Sequence, residues 1–331
     1  MNSRERVLKT FQFQEPDRVP LFEAWIETEI MDLIGEGSPY KTREILGLDC
    51  FPVAVGHPKI TNAWRTGIDE WGRVFKNGWY VRGMVQSIDD LEKYTPPLEY
   101  AEAWFPKKIT KFSKNTYGES HALYYASHDA CLGLSYMSMG MDKFFIAVHK
   151  DPELVEALME RSTEWTIAMI KMANSFDVDF ILIGDDVASG PGPMMAPKLF
   201  EKFVIPYYKR IVKASKCPLI WHSDGSIEDL IPMIIDTGFA GIHSLEPNAN
   251  MNLGEIKKNF GDKLVLAGNL DVTNVLTQSN LDVVRKDVER CIRQGAPGGG
   301  YLFSSSNSLF KGMKIDAILE AYRYAKEIGK Y

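Results

Sequence analysis

The second half of the chain alternates short apolar runs with amphipathic stretches, and no other feature constrains the fold as much. Asp151 to about Asn174 carries Leu154, Val155, Leu158 and Met159 on one face at helical spacing. Similar helical patterns cover about Pro197–Ser215, Ile227–Thr237, Leu253–Phe260 and Leu281–Gln294, with a closing helix striped by Ile315, Ile318, Leu319 and Tyr322. Gly238 and Gly295 stand where two of these helices should stop. Between them lie the strand-like runs Asp179–Asp186, Cys217–Gly225, Ala240–Pro247, Leu264–Asp271 and Tyr301–Asn307. Successive βα units imply a parallel sheet. Each run ends in polar residues, and a barrel builds its active site at the C-terminal ends of its strands. The pattern therefore reads as an α/β chain folded as a (β/α)8 TIM barrel. A doubly wound open sheet fits less well, because no nucleotide-type glycine fingerprint follows an early strand.

The first half is less regular. Arg18–Trp25 reads as strand one and Ala122–His128 as a further barrel strand. Lys59–Arg82, with Trp64, Trp71, Val74, Phe75, Trp79 and Tyr80 close to turn residues, reads as β-hairpin insertions. Without a Ser/Gly linker or an internal repeat, residues 1–331 read as one barrel domain with N-terminal elaborations.

A net charge of −6 without a long basic run argues against a nucleic-acid partner. No apolar stretch approaches the length of a membrane span, and Met1–Arg6 leads into a charged helix rather than a signal core. Cys50, Cys131, Cys217 and Cys291 are far apart and read as reduced thiols, so a cytoplasmic location is expected.

Strand alternation puts His222 and Asp224 on one face, with Trp221 and Ser223 on the other. Such a pair can bind a divalent metal or work as an acid–base couple. The plain alternative is a polar strand end that caps the next helix. Glu246, ending the neighbouring run, would complete an N/O ligand set with one open position, as in catalytic zinc sites. His243, on the opposite parity from Glu246, reads as a packed histidine facing the helices. At least one of Asp185 and Asp186 should face the barrel mouth as a base, an acceptor or a metal ligand; the alternative is a helix-capping loop. Asn269, Ser305 and Asn307, at the ends of the last strands, are candidates for cofactor contact. Gly295–Gly300 has the look of a phosphate loop, but it precedes its strand and reads as a tight turn on the stability face. The Trp- and Tyr-rich N-terminal stretch could wall an aromatic substrate's pocket.

Several segments together resemble the uroporphyrinogen decarboxylase superfamily: Pro16-Asp-Arg-Val-Pro20, Gly184-Asp-Asp186 with Gly192-Pro-Met-Met-Ala-Pro197, His222-Ser-Asp-Gly225, Gly268-Asn-Leu-Asp271 and Gly299–Asn307. The resemblance implies a (β/α)8 barrel with its site at the strand C-termini. True decarboxylases carry an arginine-rich segment near the N-terminus. Leu21–Glu29 occupies that region here, acidic and without arginine, and an acidic wall would repel a polycarboxylate. The methyltransferase branch is the better match. It implies zinc, a corrinoid carried by a partner protein and a small methylated substrate. That branch's zinc motif is His-x-Cys with a later Cys. His222 matches the histidine, Asp224 replaces the first cysteine, and Ser304–Ser306 lie near the place of the second. The variant looks more like the methyltransferases of O-demethylase systems, whose donors include phenyl methyl ethers. Two alternatives remain open: a metal-independent lyase of the decarboxylase type using Asp185 or Asp186, and a non-catalytic corrinoid- or tetrapyrrole-binding module. A homodimer is an open possibility for the assembly.

Overall fold

The computed structural model describes residues 1–56, 65–94, 96, 98–100 and 107–331. Trp64 and the start of the expected hairpin insertion, residues 59–64, lie outside the described residues.

In chain order the strands are β1 (Cys50–Val55), β2 (Gly67–Ile68), β3 (Arg73–Lys76), β4 (Trp79–Gly83), β5 (Ala122–Ser127), β6 (Phe180–Gly184), β7 (Ala188–Ser189), β8 (Gly192–Pro193), β9 (Leu219–His222), β10 (Gly241–Ser244), β11 (Val265–Leu270) and β12 (Tyr301–Ser305). Seven of them form a parallel sheet in the order β1-β5-β6-β9-β10-β11-β12. The segment around Leu21 closes the ring. Phe22 N donates to Phe303 O and Phe303 N to Pro20 O, both at 2.9 Å, while Asp49 N, just before β1, donates to Leu21 O at 2.8 Å. The chain is thus a (β/α)8 barrel, and the run containing Leu21 is its first strand.

Alternation along the strands sorts the core into two parts. Cys50, Tyr124, Phe180, Leu182, Ile220 and Leu302 belong to the cluster inside the barrel. Phe51, Leu123, Ile181, Trp221, Ile242 and Phe303 belong to the larger cluster under the helices. The Pro16–Pro20 segment acts at the bottom of the barrel. Asp49 is fully buried. It accepts from Arg6 Nη1 at 2.6 Å, Arg18 Nη1 at 2.8 Å and Leu21 N at 2.7 Å, tying the N-terminal helix, the first strand and β1 together.

Two expected helices are broken, for one physical reason. Pro197–Ser215 is observed as Pro197–Phe203 and Ile205–Ala214, parted at Val204 (φ −120°, ψ −47°). Pro206 has no N–H to continue the first helix, but it suits the first turn of the second. Ile227–Thr237 is likewise a 3₁₀ turn, Glu228–Leu230, followed by the helix Ile231–Thr237 with Pro232 in its first turn. Gly238 ends that helix in the left-handed region at φ +93°.

The insertion forms the antiparallel sheet β2-β3-β4. Buried Arg73 anchors it to the barrel mouth, donating to Asp69 at 2.8 Å and to Asp129, just past β5, at 2.9 Å. Gly298–Gly300, all at positive φ, form a turn before β12. All four cysteines are unpaired. No helix among the described residues is long and apolar enough to cross a membrane.

Candidate functional site

Gly184, His222 and His243 sit in register across β6, β9 and β10. Neighbours in register on a parallel sheet point the same way, so both histidine rings enter the barrel mouth. A side chain on Gly184 would press on Ser127 O at 2.9 Å and lie 3.6 Å from the His222 ring, so glycine keeps this corner clear.

His222 Nε2 lies 3.6 Å from Asp224 Oδ1 and 3.8 Å from Asp186 Oδ1. The ligand atoms of Asp186, His222 and Asp224 all fall within 4.8 Å of one another. His222 is buried, while the two carboxylates are partly exposed to the mouth. Asp224 is held from both sides: Ser244 Oγ donates to Oδ1 at 3.1 Å and Asn307 Nδ2 to Oδ2 at 2.6 Å. Asp186 Oδ1 accepts from Asp224 N at 2.9 Å. Burial pushes the Asp186 carboxyl above its ordinary range; His222 pulls it down, while the charge of Asp224 adds to the rise.

The other sequence candidates serve different ends. Glu246 stands outside the cluster: its Oε2 accepts from Gly225 N at 3.0 Å, behind the loop that carries Asp224. Asp185 turns away from the mouth to the start of the helix Cys131–Met139. There it accepts from Leu132 N at 3.0 Å, Gly133 N at 2.5 Å and Tyr208 Oη at 2.8 Å. Burial pushes its carboxyl up to about 7, against the pull of those donors. Asn269 is occupied within the fold, donating to Leu245 O at 2.5 Å and Met251 O at 2.9 Å and accepting from Arg290. Ser305 donates to Glu23 Oε2 at 2.8 Å. Asn307 alone of those three touches the cluster, through Asp224.

His243 corrects the sequence reading, which faced it toward the helices. Its Nδ1 lies 2.7 Å from His222 Nδ1, inside the barrel. Parity counted back from Glu246 misleads because Ser244 (φ +88°) and Leu245 (φ +51°) break the extended alternation. The ring is fully buried, which pushes its pKa well below the ordinary value, with the charge of His222 adding to the fall.

Beside the cluster lies a cavity of about 880 Å³, lined by Trp25, Tyr40, Val53 and His128 among others. The Trp25 ring packs 4.5 Å from His128 and 4.7 Å from His222, so it touches both cavity and cluster. Of the three acids in Leu21–Glu29, Glu27 and Glu29 line this cavity and Glu23 does not, and buried Arg43 lines it too. Glu23 points out of the barrel and accepts from Ser305 N at 2.6 Å and from Tyr322 Oη.

Burial pushes the Glu23 carboxyl from an ordinary 4.5 up to about 8. Between those values the folded state binds a proton that the unfolded chain has lost. The contribution to stability is therefore full below about 4.5 and is lost as the pH rises toward 8, by up to ~1.4 kcal/mol per pH unit. Urea unfolding at several pH values should show this decline in the wild type and a flatter profile in Glu23→Gln. Equal slopes in the two proteins would contradict it.

The sequence pattern of the uroporphyrinogen decarboxylase (URO-D) family matches residues 76–328. The chain belongs to the URO-D family. A methylated-thiol–coenzyme M methyltransferase of Methanosarcina mazei is 24% identical over 145 residues, covering 44% of this chain and 38% of that protein. A uroporphyrinogen decarboxylase of Myxococcus xanthus is 25% identical over 242 residues, covering 70% of this chain and 66% of the other. The chain spans about half the length, or less, of several curated URO-D relatives it matches, 38% to 50%. A solved methyltransferase from Methanosarcina mazei covers 99% of both chains with a TM-score of 0.80 at 16% identity, a likeness of fold.

Proposed function

We infer that this URO-D family member is a methyltransferase that moves a methyl group from a small O-methylated donor to the corrinoid of a partner protein, with zinc held by Asp186, His222 and Asp224. The observation that carries this reading is the clustering of one imidazole nitrogen and two carboxylates within 4.8 Å at the barrel mouth. This donor set suits a catalytic zinc site, which keeps one position open for substrate or water. Asp186 takes the third place that the sequence reading gave to Glu246, because Glu246 is engaged with Gly225 N. Ser244 and Asn307 each bond one oxygen of Asp224, the outer support that orients metal-binding carboxylates.

When bound, zinc supplies a Lewis acid that stabilises the alkoxide or phenoxide left as the methyl group departs. The chain's own residues do the rest. Trp25, Tyr40 and His128 give the adjoining cavity flat surfaces suited to an aromatic donor. Trp25, in contact with His222, brings the donor's reacting end to the cluster. The absence of any cysteine from the cluster, among the described residues, favours an oxygen-bound methyl group over a thiol partner. The relative from M. mazei named as a methyltransferase is consistent with methyl transfer.

The test is transfer of methyl groups from a panel of phenyl methyl ethers to Co(I) cobalamin, with and without zinc. Turnover that requires zinc is expected; a protein inert with every donor in both states would contradict the reading. A second reading is favoured by the raised Asp186 carboxyl, which suits a proton donor, and by the decarboxylases among the relatives. Metal-independent CO₂ release from candidate acids would replace methyl transfer with that chemistry.

A further inference from the structure

The contact between His222 and His243 joins like atoms: both partners are Nδ1, 2.7 Å apart. A hydrogen bond there needs one proton between two nitrogens, so one ring donates and the other accepts. The two arrangements have opposite consequences at His222 Nε2. If His243 donates, a neutral His222 carries its proton on Nε2, where it blocks metal binding. If His222 donates, its Nε2 is open to a cation.

The surroundings decide between them. His222 Nε2 faces the carboxylates of Asp224 and Asp186, at 3.6 and 3.8 Å. A metal ion held at that nitrogen by the two carboxylates leaves the proton of the neutral ring on Nδ1. With the metal bound, His222 Nδ1 is therefore the donor. His243 offers no such site for charge. Its ring is fully buried, with Phe22 at 6.0 Å and Trp25 at 5.9 Å, both near edge-to-face. Its Nε2 has no hydrogen-bond partner among the described residues.

We propose that His243 is a positioning residue whose unprotonated Nδ1 accepts from His222 Nδ1, fixing the His222 ring with Nε2 aimed at Asp186 and Asp224. This rests on the metal reading given above, which sets the direction of the hydrogen bond. In metal sites the outer partner of a ligating histidine is ordinarily a carboxylate, a carbonyl or a water. Here a second imidazole fills that place, supplied by the in-register residue of the next strand.

Two measurements test it. The first is ¹⁵N NMR of the histidine side chains in the zinc-loaded full-length protein. His243 is expected to be protonated at Nε2 and bare at Nδ1; a proton on His243 Nδ1 in the zinc-loaded protein would overturn the proposal. The second is zinc affinity by chelator competition. His243→Leu, which removes the acceptor, should weaken binding about 10–100-fold. His243→Asn, whose Oδ1 stands near the place of Nδ1, should restore most of the loss. Circular dichroism and thermal melting identify variants that fail to fold. A folded His243→Leu that binds zinc like the wild type, or an Asn variant no better than Leu, would refute the positioning role. A wild type that binds no zinc would refute the metal reading and this role with it, whereas zinc binding with a proton on His243 Nδ1 would refute the role alone.

Discussion

His222→Ala is expected to abolish tight zinc binding and, with it, methyl transfer. The loss should exceed the about 10–100-fold that removal of an outer-shell partner costs, because the imidazole is the sole nitrogen donor of the cluster. Asp186→Asn and Asp224→Asn should each weaken zinc strongly, since each removes a charged ligand oxygen. Glu246→Gln is the internal control: its carboxylate accepts from Gly225 N, and an amide oxygen can do the same. Chelator competition on the four variants distinguishes this ligand set from the set His222, Asp224 and Glu246. Undiminished zinc in His222→Ala, or a loss in Glu246→Gln as large as in Asp186→Asn, would contradict the assignment.

The pairing of His222 with Asp224 was legible because both follow simple strand parity at the end of β9. Asp186 and Asp185 could not be separated from sequence, since which of two adjacent carboxylates reaches the mouth depends on how the chain leaves β6. Parity alone assigns them to opposite faces; the structure gives Asp185 to the buried helix start and Asp186 to the mouth. His243 was hidden by a conformational break. Two non-glycine residues at positive φ follow it, and no local pattern announces them in Ser244-Leu245. Its signal lies in register instead: His222 and His243 stand at the ends of consecutive parallel strands, in register with each other. The barrel itself was readable through the βα alternation. The helix breaks were signalled by Pro206 and Pro232, although a continuous apolar stripe masks a proline that falls in a new first turn.

Asp49→Ala is expected to cost about 3–5 kcal/mol of stability, the loss that follows when one partner of a buried ion pair is removed. Asp49 is fully buried and serves Arg6, Arg18 and the backbone N–H of Leu21 together. Alanine leaves the Leu21 N–H without its acceptor and the two guanidinium groups without this counter-charge. Arg6 keeps Asp17, at 2.7 Å, so Arg18 bears the larger loss. Because these contacts sit at the bottom of the barrel, away from the mouth, zinc affinity of the folded variant should be unchanged. Urea unfolding reads the first effect and chelator competition the second. A midpoint within error of the wild type would show that the Pro16–Pro20 segment does not brace the ring as described.

The most direct measurement is X-ray absorption at the zinc edge of the purified, zinc-loaded protein. The expected result is one zinc per chain in a shell of nitrogen and oxygen at about 2.0–2.2 Å, without sulfur. Four unpaired cysteines are present in the chain, yet none belongs to the cluster among the described residues. A sulfur shell at about 2.3 Å, or no stoichiometric zinc, would contradict a metal centre built from Asp186, His222 and Asp224.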